Sequence, residues 1–353
     1  MHQSSPFANA TNLQSGAGSS SSNAGRATAG SGPAPISQSP EAPKLRVTDL
    51  PDVDEPSAWP AENDEMRIDE PDELPPAGLF DGVQVFPGDG LPMETRPLIG
   101  ALEPMATLRA EYENGSQSFV KQIDWLMDQG WIGIRRTRGD GDCFYRSLAF
   151  AYIEQILNAT EPQLAALKAL SILDQMPSQL KAVGFQELVF EDFHDAFADL
   201  IKAVVEPRVD GRLLTISSLL KAFNEPETSN SVVMYLRLLA SAHIKGNPDS
   251  YAGFLLHPET AESMDPESFC NNFVEAFGKE ADHVQINALS SMLKVNINVA
   301  YLDGHDPNGR VSYVKFQDAA EDPDTEPVNL LYRPGHYDIL DRRSEDPIPL
   351  LLE

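Results

Sequence analysis

Half of the prolines of this 353-residue chain, 14 of 28, fall within residues 1–100, where only 5 of its 26 Lys and Arg residues occur. That asymmetry confines any folded body to the remainder. Residues 1–40 contain no acidic side chain and one basic one, Arg26, in a background of Ser, Ala, Gly and Pro. Residues 41–100 then carry 15 acidic against 4 basic side chains. Neither composition buries enough apolar surface to offset the entropy of ordering, so both predict a disordered, extended region. Short apolar clusters at Gly78-Leu79-Phe80 and Val83-Gln84-Val85-Phe86 read as hydrophobes within a linker. The folded domain is placed at residues 101–345, with a tail over 346–353.

Charge and cysteine count remove several function classes. The 54 Asp and Glu give a formal net charge of −28, and no local basic patch offsets it, so no nucleic-acid groove is expected. Cys143 and Cys270 are too few for a disulfide framework, and neither belongs to a CxxC or a zinc-type cluster, so no metal or cofactor is expected. Met1-His2-Gln3-Ser4-Ser5-Pro6 lacks the basic and apolar blocks of a secretory signal. No apolar run approaches the roughly 18 residues of a membrane span. The chain reads as soluble and intracellular, suited to the reducing cytoplasm and also to the nucleus.

Folded structure is expected to begin near Leu102. Apolar residues at helical spacing predict a helix through Phe119–Met127, stopped at Gly130. Arg135–Asp142 reads as a loop by its Gly and Asp content, followed by a buried helix from Cys143 to Ile153. Helical patterns fill 160–256, over Gln163–Leu173, Phe185–Val205, Leu213–Phe223 and Ser231–Ile244, and return at Pro266–Phe277 and Val284–Leu293. The period then changes to two. Val295–Tyr301, Val311–Phe316, Asn329–Tyr332 and Tyr337–Leu340 predict strands of an antiparallel sheet.

Cys143 therefore stands where a loop meets a helix N-terminus. The helix dipole and its unpaired N–H groups favour a thiolate there, and the glycines of Gly139-Asp140-Gly141-Asp142 allow successive N–H groups to converge on an oxyanion. Asp140 and Asp142 oppose an anion unless their carboxylates fold back onto loop N–H groups; Asp140 then holds the shape of the loop. The pattern alone leaves open a surface turn leading to a core helix with an unreactive thiol. Cys270 shares a helix face with Phe273, Val274 and Phe277 and reads as a buried small hydrophobe.

A nucleophilic cysteine needs a base. Among seven histidines, His336 follows Pro334-Gly335 at the entry to a strand, with Asp338 two residues on and so on the same strand face. A carboxylate beside an imidazole fixes its tautomer and stabilises the imidazolium. A hairpin His and Asp joined by a structural hydrogen bond fits the same pattern.

These residues carry a resemblance. Asp140-Gly141-Asp142-Cys143-Phe144-Tyr145-Arg146-Ser147 and Tyr332-Arg333-Pro334-Gly335-His336-Tyr337-Asp338-Ile339-Leu340 resemble the cysteine and histidine motifs of the otubains, within the ovarian-tumour class of deubiquitinating cysteine proteases. Lys279–Leu289 resembles the segment between them, and the resemblance spans roughly residues 102–343. It implies an α+β, papain-like fold: a small antiparallel sheet flanked by helices, with a helical insert at about 160–256. It also implies a thiol isopeptidase that cleaves ubiquitin from lysine side chains or from polyubiquitin chains. The implied roles are Cys143 as nucleophile, His336 as general base and acid, Asp338 as its orienter, and Asp140 as the residue that shapes the oxyanion loop. Ubiquitin, polyubiquitin and ubiquitin-conjugating enzymes are the implied partners.

Two positions depart from the family pattern. Asp142 replaces a usual Asn, which sets a carboxylate beside the thiol, and Gly139 replaces a common Pro, which loosens the loop. Two other classes remain: a catalytically silent scaffold that binds ubiquitin and regulates conjugation, and a redox sensor at Cys143, which lacks a nearby resolving cysteine.

Overall fold

The computed structural model describes residues 95–316 and 326–346, so the expectations for 1–94 and for the tail from 347 onward lie outside the described residues. Order begins before Leu102: Leu98 and Ile99 are already buried, and β1 (Ile99–Pro104) leads directly into α1 (Met105–Tyr112). Next come α2 (Gln117–Asp128), β2 (Gly133–Thr137) and α3 (Cys143–Asn158). The stretch read from Arg135 to Asp142 as one loop is thus divided, and only 138–142 is loop. Arg135 tolerates a strand interior because Glu154 takes its Nη2 at 3.0 Å and Asp346 accepts from both terminal nitrogens. Asp346, placed in the tail from sequence, is in this way joined to the sheet.

Six helices occupy residues 162–251. They are α4 (Pro162–Leu173), α5 (Met176–Ala182), α6 (Glu187–Lys202), α7 (Ile216–Phe223), α8 (Pro226–Gly246) and the single turn α9 (Pro248–Tyr251). The helix expected over Pro266–Phe277 is shorter: α10 (Pro266–Phe269) runs into a π-helical turn, Cys270–Val274. After α11 (His283–Leu293) come β3 (Ile297–Tyr301), β4 (Ser312–Phe316), β5 (Val328–Arg333) and β6 (His336–Asp341).

The strands form one sheet in the order β1-β2-β6-β5-β3-β4. Four of the pairings are antiparallel, and β3 with β5 is parallel. The parallel pair arises because β4 takes the edge beside β3, so the chain re-enters on the other side of β3 in the same direction. Side chains alternate across the sheet as a period of two requires. Val299, Leu330 and Ile339 join the large core with α3 and the helices after it. Ala300, Leu331 and Leu340 join a smaller core under α1 and α2, with Met105, Leu108, Ile123 and Leu126.

Two helices are apolar almost all round and buried almost all round, α3 and α8. They pack against each other, and α3 also packs on β5 and β6. The few charges inside them, Arg146, Glu154 and Arg237, therefore need internal partners. Those partners lie around Cys143 and behind it.

Candidate active site

Cys143 is the first residue of α3 and His336 the first of β6, so each reactive side chain stands where a regular element begins. The β5–β6 hairpin sets the second: Arg333 pairs with His336 across Pro334-Gly335, and Gly335 takes φ +75°, a conformation that favours glycine. The Cys143 thiol lies close enough to the His336 imidazole to act on it electrostatically. The imidazole Nε2 lies 2.9 Å from Asp338 Oδ1. The structure thus brings Cys143, His336 and Asp338 together across 193 positions of sequence.

Asp338 is fully buried and accepts three ways. Besides His336, it takes the Thr137 N–H at 2.9 Å and Arg333 Nη2 at 2.5 Å. The β2–β6 ladder runs from Gly133↔Asp341 to Arg135↔Ile339; past it, the carboxylate takes the Thr137 N–H. Burial works against its charge, but Arg333 and His336 outweigh burial and hold the carboxyl well below the usual range. For His336, burial favours the neutral ring, yet the Asp338 carboxylate and the thiol prevail and push it up to about 9. Glu280 stands against the hairpin turn: a Cβ at Gly335 would lie 3.3 Å from its Oε1. Burial pushes the Glu280 carboxyl up, and His336 partly counters this.

Asp140 is folded back into its own loop. Its Oδ1 accepts the Asp142 N–H at 3.1 Å and Arg146 Nη1 at 2.8 Å, while Oδ2 accepts Arg138 Nε at 3.1 Å. Burial raises the Asp140 carboxyl, but Arg146 reverses the effect and the net shift is downward. The Asp142 N–H is spent in this way, which removes it from the donors available to an oxyanion. Asp142 occupies the N-cap position of α3 without capping it through its side chain. Nor does it point to solvent: the residue is 7 % exposed and its carboxylate is paired with Arg237. Beside this loop is an open cavity of about 400 Å³, lined by Arg138, Asp140, Asp142, Asn230, Phe277 and Gly278.

Cys270 has no such setting. It is fully buried in the π-helical turn, its Sγ 3.9 Å from the Ser241 carbonyl, and burial pushes its thiol up to about 11. Among the described residues no group of three or more His, Cys, Asp and Glu side chains is placed to hold a metal ion, and no helix is long and apolar enough to cross a membrane.

The sequence model of the family described as Peptidase C65 Otubain matches residues 92–342. This chain is an otubain. It is 37 % identical over 236 residues to the human protein named ubiquitin thioesterase OTUB2, covering 67 % of this chain and 91 % of that one. It is 32 % identical over 254 residues to the Arabidopsis thaliana ovarian tumor domain-containing deubiquitinating enzyme 1, covering 69 % and 80 %. A solved complex described as ceOTUB1 with ubiquitin aldehyde and UBC13~Ub superposes with a TM-score of 0.60 at 29 % identity, covering 70 % of this otubain and 95 % of that chain.

Three residues around the site escaped the sequence reading. Arg333 lies inside the histidine motif but had no role assigned, and Glu280 lies inside the intermediate segment. Arg237 had the clearest signal of the three: it is a lone charge within the apolar run Tyr235-Leu236-Arg237-Leu238-Leu239-Ala240, and a charge buried on such a helix must have a partner elsewhere.

Proposed function

We propose that this otubain is a deubiquitinating cysteine hydrolase that cleaves the bond between the ubiquitin C-terminus and a lysine of another ubiquitin or of a conjugate. The observation that carries the proposal is the His336 imidazole set against the Asp338 carboxylate at 2.9 Å and within electrostatic reach of the Cys143 thiol. Cys143 as thiolate attacks the scissile carbonyl carbon, and the resulting oxyanion is held by the Cys143 N–H with glycine N–H groups of the loop ahead of it, the N–H groups of Asp140 and Asp142 being bonded within that loop. The His336 imidazolium gives its proton to the departing lysine amine, leaving a thioester. Neutral His336 then takes a proton from water, which attacks the thioester and releases ubiquitin and the thiol. Asp338 orients the ring through Nε2 and balances the imidazolium, and Asp140, tied to Arg146 and the Asp142 N–H, keeps the loop in shape.

The names of the relatives support this: three-quarters or more of the human and Arabidopsis proteins is matched, and both are named for ubiquitin hydrolysis. Ubiquitin-conjugating enzymes enter as partners because solved relatives are described in complex with UBC13~Ub and UBCH5B~Ub. Residues 98–346 are taken as the catalytic domain, with 160–256 as its helical insert. Two free cysteines suit the cytoplasm or nucleus.

A second role, a silent ubiquitin-binding scaffold, is favoured by one feature: Cys143 and His336 are each only 2 % exposed. Incubation with a ubiquitin bearing a C-terminal electrophile separates the two. Covalent capture at Cys143, with cleavage of ubiquitin chains that is lost in Cys143→Ala, supports the hydrolase; chain binding with neither labelling nor cleavage supports the scaffold.

A further inference from the structure

The guanidinium of Arg237, on α8, is spent on the nucleophile loop and on the segment that braces it. Nε donates to Asp142 Oδ1 at 3.0 Å, and Nη2 donates to the same carboxylate, to the Gly141 carbonyl at 3.2 Å and to the Lys279 carbonyl at 2.7 Å. Nη1 donates to the Val274 carbonyl at 2.9 Å. The guanidinium also lies 4.1 Å from the centre of the Tyr145 ring, two residues into the helix that Cys143 opens. Asp142 Oδ1 takes one more donor, the Gly278 N–H at 3.2 Å. Contact between the two backbones is so close that a Cβ on Gly141, at φ +80°, would fall 2.2 Å from the Gly278 carbonyl oxygen.

We propose that Arg237 is a positioning residue for the nucleophile: it neutralises the carboxylate immediately ahead of Cys143 and fastens loop 138–142 to the segment 274–280. The proposal rests on Cys143 being the nucleophile, and it accounts for an Asp at the position where the otubain motif usually has Asn. An acceptor there is used by three donors, and both Asn and Asp offer an acceptor. Only Asp adds a negative charge one residue from a thiolate, and only a buried cation makes that charge harmless. Arg237 has no exposed surface and faces the carboxylate with two of its three nitrogens, so the neutralisation is not diluted by solvent.

The test is the pH dependence of Cys143 alkylation by iodoacetamide in the full chain, read by mass spectrometry of the Cys143 peptide, alongside cleavage of ubiquitin chains. In Arg237→Met the carboxylate loses its cation, and the midpoint of the alkylation profile rises by about one pH unit, with cleavage about tenfold slower or worse. In the double variant Asp142→Asn with Arg237→Met, both charges are gone and the midpoint returns toward that of the parent. In Asp142→Asn alone, an acceptor for Arg237 remains but its charge is unbalanced, and the midpoint falls. A purely structural role slows cleavage without moving the midpoint. An Arg237→Met profile that matches the parent overturns the proposal, as does a double variant that stays with Arg237→Met. Should Arg237→Met fail to fold, an unmoved midpoint in Asp142→Asn overturns it. Alkylation needs no ubiquitin, so these shifts in a chain that cleaves nothing would sink the hydrolase assignment and leave the role of Arg237 standing.

Discussion

The two cysteines of this otubain are both buried and both free, yet their surroundings differ. Cys143 opens a 16-residue α-helix, with the helix N–H groups ahead of it and an imidazole beside it. Cys270 sits inside a π-helical turn with a carbonyl oxygen as its neighbour, and burial pushes its thiol up to about 11. Burial alone therefore says little about a thiol. What differs is which charges and dipoles were buried with it.

The most severe way to break this contrast is to exchange the residues that define it. Cys143→Ala abolishes cleavage of ubiquitin chains, while Cys270→Ala keeps the rate within about twofold, because no reacting group touches Cys270. Equal losses in both variants would erase the distinction. Asp338→Asn comes next, with kcat/KM lowered about 10²- to 10⁴-fold through loss of the imidazolium's partner. The same change leaves Arg333 short of a buried counter-ion, so chemical denaturation should show a loss of about 3 kcal/mol, and an unchanged unfolding midpoint would remove that ion pair from the account.

Competition for iodoacetamide sharpens the comparison further. At neutral pH Cys143 should be modified at least about 10²-fold faster than Cys270, with Cys270 reacting only when the domain opens. A smaller effect concerns pH. The folded His336 is raised to about 9 against an ordinary 6.5, so the stability from its pairing with Asp338 is full below about pH 6.5 and is lost as pH rises through about 9. Denaturant melts across that range should show the decline, and it should vanish in His336→Gln. The smallest expected effect is the stability cost of Cys270→Ala, about 1 kcal/mol for the lost sulfur contacts, measured by thermal melting.

Much of the site could be read from local pattern. Cys143 follows a Gly- and Asp-containing turn and precedes an apolar run, which is enough to set a thiol at a helix N-terminus. His336 and Asp338 alternate on one strand, which is enough to set a carboxylate beside an imidazole. The boundaries that were misread involve charge or short length. Arg135 and Arg136 suggested a loop and lie in β2, because Glu154, Asp346 and Glu111 neutralise them from distant places in the chain. The short helices α1 and α5 gave too few turns for a period to show. The π-helical turn at Cys270 keeps the apolar spacing of an ordinary helix and so left no mark in the pattern.

Sequence by itself determined which side chains stand at the ends of elements, because turn chemistry and the periods of 3.6 and 2 act over a few residues. Only the tertiary structure decided which of them meet. Packing α3 against β6 joined a thiol to an imidazole, and packing α8 against α3 supplied a cation to Asp142. Such pairings cost the separate segments nothing to forgo and are enforced only when water is excluded from the core. A buried charge must then find its opposite wherever the fold has placed it.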